Sequence, residues 1–244
     1  MATYYNEIDK ACCYWLEALM KADVIPAGHI DSRPIQEVKP EDLDGYTHLH
    51  FFAGIGGWAY AARLAGWPDD LELWTGSVPC QPFSLAGKKQ GFDDSRHLWP
   101  DFFRLIRARR PSVVMGEQTS SAPGYAWLDR VVADLDGEDY SCRATDIPAC
   151  SVGAPHIRNR LWWVSHPNED YRYRRGGTVQ VWRPGCAKAM AGNIREQSFE
   201  WPAESRPVAV AHGISSRVAK LSGFGNAIVP QLAAEVMRAY LETL

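Results

Sequence analysis

The feature that most limits the fold of this chain is a regular alternation of strand-like and helix-like segments that begins at Thr47. Short apolar runs (HLHFFAG, LELWTGS, PSVVMGE, RLWWVSH) alternate with amphipathic runs (GWAYAARLAG, DFFRLIRARR, YAWLDRVVADL). Strands separated by helices pair in parallel, and helices cover both faces of the resulting sheet. We therefore predict an α/β protein with a doubly wound, mostly parallel sheet, and expect ligands at the carboxyl ends of its strands.

Two segments outside this alternation have a different character. The first 43 residues combine one amphipathic helix pattern with a stretch rich in turn residues. Between His166 and Pro207 the periodicity fades, and seven basic and five acidic residues give this segment a net charge of +2. We therefore predict a main α/β domain, residues 1–165 and 208–244, that is interrupted by a small basic insert.

The C-terminal run PQLAAEVMRAYLETL predicts a helix that closes the domain. Pro230 suits the first turn of such a helix, because a first-turn residue needs no backbone N–H. We expect its apolar stripe to consist of Leu232, Val236, Tyr240 and Leu244.

Composition excludes several classes of protein. The chain is 46% hydrophobic and 23% charged, as is typical of folded globular proteins. Its six cysteines form no CxxC pair, so we expect neither a metal site nor a disulfide framework. No apolar run reaches the roughly 18 residues of a membrane span, and the first 30 residues are repeatedly charged, so we expect a cytoplasmic protein without a signal peptide. With a net charge of −3, any nucleic acid must be bound by a local basic patch.

The run FAGIGGW lies between a predicted strand and a predicted helix, and has Gly54, Gly56 and Ala59 at the GxGxxA spacing. Glycines there allow a nucleotide to approach the backbone, and the helix N-terminus offers free N–H groups. A tight turn without a ligand is the plainer interpretation. The same motif matches a dinucleotide fingerprint with Glu72 as the ribose-binding acid, which would make the chain a nicotinamide-dependent oxidoreductase.

Three further motifs each lie next to a predicted strand. VPCQPFS places Cys80 at a strand end, where a nucleophile would be accessible, although a buried inert cysteine is the alternative. GEQTS places Glu117 where it could act as a general acid, although strand-end glutamates are more often solvated. In HIRNRLWWV, Arg158 and Arg160 are two residues apart, so both side chains should lie on one face as the chain enters a strand.

Taken in order, FAGIGGW, PCQPFS, GEQ, RNR and GNAIVPQ resemble the blocks of the DNA cytosine-5 methyltransferases over residues 47–244. The resemblance implies a class I methyltransferase-like Rossmann fold, S-adenosylmethionine as donor, and a cytosine flipped out of double-stranded DNA as substrate. It makes Cys80 the nucleophile that attacks C6, Glu117 the acid, and Arg158 and Arg160 the arginines of the catalytic site. The basic insert would take the place of the target-recognition region.

Two blocks of this family stand in an unusual place. YYNEID and AGHIDSR, near the N-terminus, resemble the second and third blocks, which in the family follow the first. The resemblance therefore implies that the first 45 residues supply strands of the same sheet, in a rearranged order. Glu7 would bind the ribose hydroxyls, and either His29 or Asp31 would meet the adenine amino group.

The resemblance also assigns the remaining binding residues. Phe52 would stack on the adenine, within a cofactor-binding set formed by Glu7, Ile30, Asp31, Phe52, Gly54, Ile55, Gly56, Pro79, Leu98 and Asn226. The DNA-binding set lies in the loop after Cys80 and in the insert, and consists of Gln81, Ser84, Lys88, Lys89, Arg96, Arg172, Arg174, Arg175 and Arg183. We expect a monomer that acts in restriction-modification, binds no membrane and needs no metal. A relative with a modified sulfonium donor, or one that only binds DNA, is the alternative.

Overall fold

A computed structural model of the protein describes residues 2–79, 98–168 and 227–244. In these residues the strands are β1 (Thr3–Asn6), β2 (Gly28–Asp31), β3 (His48–Phe51), β4 (Leu73–Gly76), β5 (Val114–Thr119), β6 (Tyr140–Pro148) and β7 (Asn159–Pro167). The α-helices are α1 (Lys10–Lys21), α2 (Gly57–Ala65), α3 (Trp99–Arg109), α4 (Ala122–Asp136) and α5 (Pro230–Leu241). Short 3-10 helices occupy Ile35–Glu37, Pro40–Leu43 and Ala149–Val152.

The described strands form one seven-stranded sheet in the order β2-β1-β3-β4-β5-β7-β6. The pairs among β1 to β5 are parallel, whereas β7 is antiparallel to both of its neighbours. This confirms the predicted α/β class with a mostly parallel sheet. The N-terminal strands belong to this sheet, as the rearranged block order implied: β1 pairs with β3, and β2 pairs with the other side of β1. A strand is held by hydrogen bonds to its neighbours whatever its position in the chain.

Helices pack on both faces of the sheet because side chains alternate between the faces along each strand. On one face, Phe51 and Trp74 pack with α3 and α4 around Trp99 and Trp127. The other face packs against α1, α2 and α5, with Trp162 among its largest buried side chains. Most of the described tryptophans therefore belong to the core rather than to a stacking surface.

Two details differ from the sequence prediction. The edge strand β6 has no counterpart in the predicted elements, because the polar residues of YSCRATDIP obscure its alternating burial. Leu244 was wrongly placed on the apolar stripe of the closing helix: α5 ends at Leu241, and the Leu244 side chain is 74% exposed. Met237 is fully buried and takes that role.

Within the described ranges, the structure contains no helix long and apolar enough to cross a membrane. The same ranges contain no group of three or more His, Cys, Asp or Glu side chains suited to hold a metal ion.

Candidate active site

The ends of the parallel strands bring several predicted site residues to one edge of the sheet. Glu7 follows β1, Asp31 ends β2, and the glycine turn of residues 52–56 follows β3. Glu117 lies near the end of β5, which is separated from β3 only by β4. Because parallel strands all end at the same edge, residues far apart in sequence share one region.

The glycine turn is a strained loop with an open outer side. Phe52, Gly54 and Gly56 have φ angles of 52°, 55° and 82°, in the left-handed region that favours glycine. For Phe52 this conformation costs roughly 1 kcal/mol. A Cβ atom at Gly54 would meet only the Phe52 carbonyl oxygen, at 3.9 Å, whereas one at Gly56 would lie 3.2–3.3 Å from apolar side chains of α1 and the loop after it. Gly54 therefore borders open space, and Gly56 faces the core.

Glu7 connects the first strand to this turn. Its Oε2 accepts a hydrogen bond from the Gly54 N–H at 2.6 Å, and its Oε1 accepts one from the Asp9 N–H at 2.8 Å. Burial raises the pKa of Glu7, and these backbone hydrogen bonds oppose the rise. An acceptor carboxylate beside an open glycine turn can receive hydrogen bonds from ribose hydroxyls, so the geometry fits a nucleoside.

The two residues considered for the adenine contact have different surroundings in β2. Asp31 lies at the carboxyl end and is 4% exposed, whereas His29 lies two residues earlier, beside the Tyr4 ring. The Asp31 carboxylate accepts hydrogen bonds from Arg33 at 2.6 Å and from the Tyr4 hydroxyl at 2.7 Å. Burial acts to raise the pKa of Asp31, but these hydrogen bonds outweigh it and hold the pKa at about 2. Asp31 is therefore a charged anchor for Arg33.

Besides the glycine turn, the site has a second part, which is centred on a buried ion pair between Glu117 and Arg160. Glu117 is 7% exposed, and its Oε1 lies 2.6 Å from Arg160 Nε on the neighbouring strand β7. Burial raises the pKa of Glu117 to about 7, although Arg160 and Arg158 lower it. A carboxyl group with this pKa carries a proton in a substantial fraction of molecules near neutral pH, as a general acid requires.

The two predicted arginines do not make the same contacts. Arg160 pairs with Glu117, whereas Arg158 lies just before β7 and donates from Nη2 to the Ala227 carbonyl at 2.7 Å. The Arg158 backbone is left-handed, with φ of 37°, so its side chain leaves the chain in a direction that ordinary strand geometry does not predict.

Gln118 is a functional candidate that the sequence analysis missed. Its Nε2 donates to the Val78 carbonyl at 3.3 Å, and its Oε1 accepts from the Thr119 N–H at 2.8 Å. Val78 lies two residues before Cys80. Gln118 therefore ties the segment that leads to Cys80 to the strand that carries Glu117. No local pattern signals this contact, because its partners are 40 residues apart.

The acid proposed for a dinucleotide site lies elsewhere. Glu72 precedes β4 and accepts hydrogen bonds from the Ser112 N–H and hydroxyl at 2.9 and 3.0 Å, at the opposite end of the sheet from the glycine turn. The carboxylate that meets Gly54 belongs instead to Glu7. The fingerprint therefore lacks its acid at the expected position, which removes the main support for the oxidoreductase interpretation.

The remaining predicted residues divide into two groups. Ile30, Ile55 and Leu98 are half-buried, and Pro79 is exposed where the described segment ends. Residues outside the described ranges are Cys80, Gln81, Ser84, Lys88, Lys89, Arg96, Arg172, Arg174, Arg175, Arg183 and Asn226. Their roles stay predictions.

Residues 61–206, more than half of the chain, match the sequence profile of the C-5 cytosine-specific DNA methylases. The type II methyltransferase M.HhaI of Haemophilus parahaemolyticus is 27% identical over 54% of this chain and 53% of its own length. M.HgiCII of Herpetosiphon aurantiacus, also a type II methyltransferase, is 51% identical over 49% of this chain and 37% of its own length.

Among solved structures, a mutant of DNMT2 from Spodoptera frugiperda is similar with a TM-score of 0.47 and 15% identity, over 74% of this chain and 47% of that one. The chain thus spans about half, or less, of the length of these relatives.

Proposed function

Because this chain belongs to the C-5 cytosine-specific DNA methylase family, we propose that it transfers a methyl group from S-adenosylmethionine to C5 of cytosine in double-stranded DNA. The observation that carries the proposal is the buried Glu117–Arg160 pair on the same sheet edge as the open glycine turn. The glycine turn suits a nucleoside, and the Glu117–Arg160 pair suits a heterocyclic base that has to accept a proton.

The donor site would be formed by the ends of β1 and β3. The open space at Gly54 and the Glu7 carboxylate fit the ribose of S-adenosylmethionine, and the Phe52 ring, packed edge-on against Phe102, would contact the adenine. Bound there, the sulfonium donor supplies an electrophilic methyl group. Of the other predicted donor contacts, Ile30, Asp31 and Ile55 lie at this edge, whereas Asn226 lies outside the described residues.

The base site would use Glu117 and Arg160 on the target cytosine. Cytosine C5 is a weak nucleophile while the ring is aromatic, so the ring has to be activated by addition at C6. A protonated Glu117 would donate its proton to N3 during that addition, and Arg160 would hold the O2 carbonyl. The short Arg160–Glu117 contact keeps the acid in place while it does so.

The nucleophile in this proposal is Cys80. Its thiolate forms a bond to C6 as N3 takes the Glu117 proton, which gives an enamine whose C5 attacks the methyl carbon and displaces the neutral thioether. Loss of the C5 proton to a base, together with return of the N3 proton to the Glu117 carboxylate, then expels Cys80 as thiolate and restores the aromatic ring of neutral 5-methylcytosine. The Gln118 contact with Val78 supports this role, since it holds the residues before Cys80 against the Glu117 strand.

DNA recognition would belong to the basic insert and to the loop after Cys80. None of the reacting atoms is accessible inside a duplex, so the cytosine has to be flipped out, at a cost of a few kcal/mol. Arginines of the insert, among them Arg174 and Arg175, would contact phosphates and base edges.

A direct test incubates the protein with duplex DNA and isotopically labelled S-adenosylmethionine, followed by mass spectrometry of the nucleosides and base-resolution mapping of cytosine. We expect labelled 5-methylcytosine at a short recurrent sequence, and none with Cys80→Ser. Label on adenine, or on N4 of cytosine, would contradict the proposed reaction. DNA binding without any transfer in the parent protein would instead favour a relative that only binds DNA.

A further inference from the structure

A short segment before α5 lies between the two halves of the proposed site. The Ala227 carbonyl accepts the hydrogen bond from Arg158 at 2.7 Å. The next side chain, Ile228, is 8% exposed and packs in the cluster between the sheet and α2. Ala227 therefore contacts the side of the proposed base site, and Ile228 contacts the side of the proposed donor site.

The contact with the donor side depends on a glycine. Gly57 is the first residue of α2 and directly follows the glycine turn. A Cβ atom at Gly57 would lie 2.8 Å from Ile228 Cγ1, a separation that real Cβ atoms essentially never show. Ile228 therefore lies against the backbone of the residue that directly follows the turn, in a place that only glycine leaves open.

The contact with the base side depends on a strained arginine. Arg158 has φ of 37°, in the left-handed region that a residue with a side chain rarely adopts. Its loop is held by the hydrogen bond from the Ala149 N–H to the Ile157 carbonyl at 2.6 Å. Two residues later, Arg160 contacts Glu117. Arg158 thus joins the strand that supports the acid to the segment that supports the turn.

We propose that Arg158 is a positioning residue: through the Ala227 carbonyl and Ile228 it sets the place of the glycine turn relative to the Glu117–Arg160 pair. The inference rests on the proposed function and assigns Arg158 a role separate from that of Arg160. Transfer of a methyl group between two bound partners requires the reacting atoms to lie about 3–3.5 Å apart, so the separation of the two sites is itself a determinant of the rate.

The first experiment measures binding of S-adenosylhomocysteine by calorimetry, without DNA, so that no turnover is involved. Arg158→Met should weaken this binding about tenfold, because the segment behind the turn loses its anchor. Arg158→Lys, which keeps the charge but not the guanidinium geometry, should weaken it severalfold. The matched control is Arg104→Met, since Arg104 Nη2 donates to the Val38 carbonyl at 2.8 Å from the opposite face of the sheet; it should change binding less than twofold.

The second experiment tests whether the two contacts act through the same segment. Gly57→Ala should displace Ile228 and weaken S-adenosylhomocysteine binding by a similar factor. If Arg158 and Gly57 act through Ala227 and Ile228, the double variant should bind within about twofold of Gly57→Ala alone, because effects of coupled residues are not additive.

Three results would overturn the inference: unchanged binding in both Arg158 variants, an equal loss in Arg104→Met, or a full multiplication of the two single effects in the double variant. Thermal melting of each variant checks that it is folded, and Arg158→Lys keeps the test valid if Arg158→Met does not fold. A parent protein that fails to bind S-adenosylhomocysteine would contradict the proposed function instead.

Discussion

At position 117 two opposing effects act on one carboxyl group. Burial disfavours the charged form, whereas Arg160 and Arg158 favour it, and burial dominates, so that the pKa is raised from 4.5 to about 7. Below pH 4.5 Glu117 is protonated in both the folded and the unfolded state. Between pH 4.5 and 7 the unfolded state releases it first, so the contribution of Glu117 to stability is lost as pH rises through this window.

This pKa leads to a prediction for Glu117→Gln. The free energy of unfolding of the parent protein should fall between pH 5 and pH 8 relative to that of the variant, by on the order of 3 kcal/mol. Urea denaturation of both proteins at the two pH values measures the difference. Parallel pH dependence in parent and variant would show that the pKa of Glu117 is not raised.

The same substitution tests the chemistry at this residue. Glutamine keeps the size of the side chain but cannot deliver the proton to N3, so we expect methyl transfer to fall at least about 100-fold. S-adenosylhomocysteine affinity should stay within about twofold of the parent value, because Glu117 lies outside the proposed donor site. A variant with most of the parent activity would mean that Glu117 is not the acid.

Among the secondary-structure elements, β5 connects the acid to the segment before Cys80. We predict that Gln118→Leu lowers the methyl-transfer rate by about tenfold or more at saturating donor, since the Val78 carbonyl loses its hydrogen bond and the nucleophile loses its alignment. Single-turnover kinetics with saturating DNA measure this step. Gln36→Leu, an exposed glutamine, is the matched control and should have parental rates.

Close packing of β5 against β7 yields a stability prediction. A Cβ atom at Gly116 would lie 2.4 Å from the Trp163 ring, and a buried ring cannot move aside cheaply. Gly116→Ala should therefore lower the free energy of unfolding by roughly 1–3 kcal/mol. Gly137→Ala, at a helix end where the same atom would meet nothing closer than 3.4 Å, should change it by less than about 1 kcal/mol.

The sequence could predict those elements that belong to its regular alternation of strand-like and helix-like segments. The long alternating stretch from β3 to α4 was predictable because its apolar period repeats over many residues. Strands β1 and β2 are as short as β3 and β4, with four residues each, but they lie outside this alternation, so they came only from the resemblance of YYNEID and AGHIDSR to family blocks. The contacts of Gln118 and Arg158 were not predictable, since their partners are 40 and 69 residues away.

On the scale of the whole molecule, an acidic chain is proposed to bind a polyanion. The net charge is −3, yet the predicted insert from His166 to Pro207 carries a net charge of +2. A protein with this distribution gains little from long-range attraction, so its DNA affinity has to come from a few direct phosphate contacts. Such contacts release counterions, and their number sets the slope of the affinity against salt concentration.

This slope distinguishes the proposed DNA surface from other basic surfaces. Replacing both Arg174 and Arg175 with alanine should reduce the slope of log K against log salt by about 2, because each phosphate contact contributes about 0.9. The matched control replaces Arg107 and Arg130, which line a groove between α3 and α4 and are each 62% exposed. It removes the same charge and should leave the slope unchanged. Equal losses in the two double variants would mean that net charge, rather than the insert, determines DNA affinity.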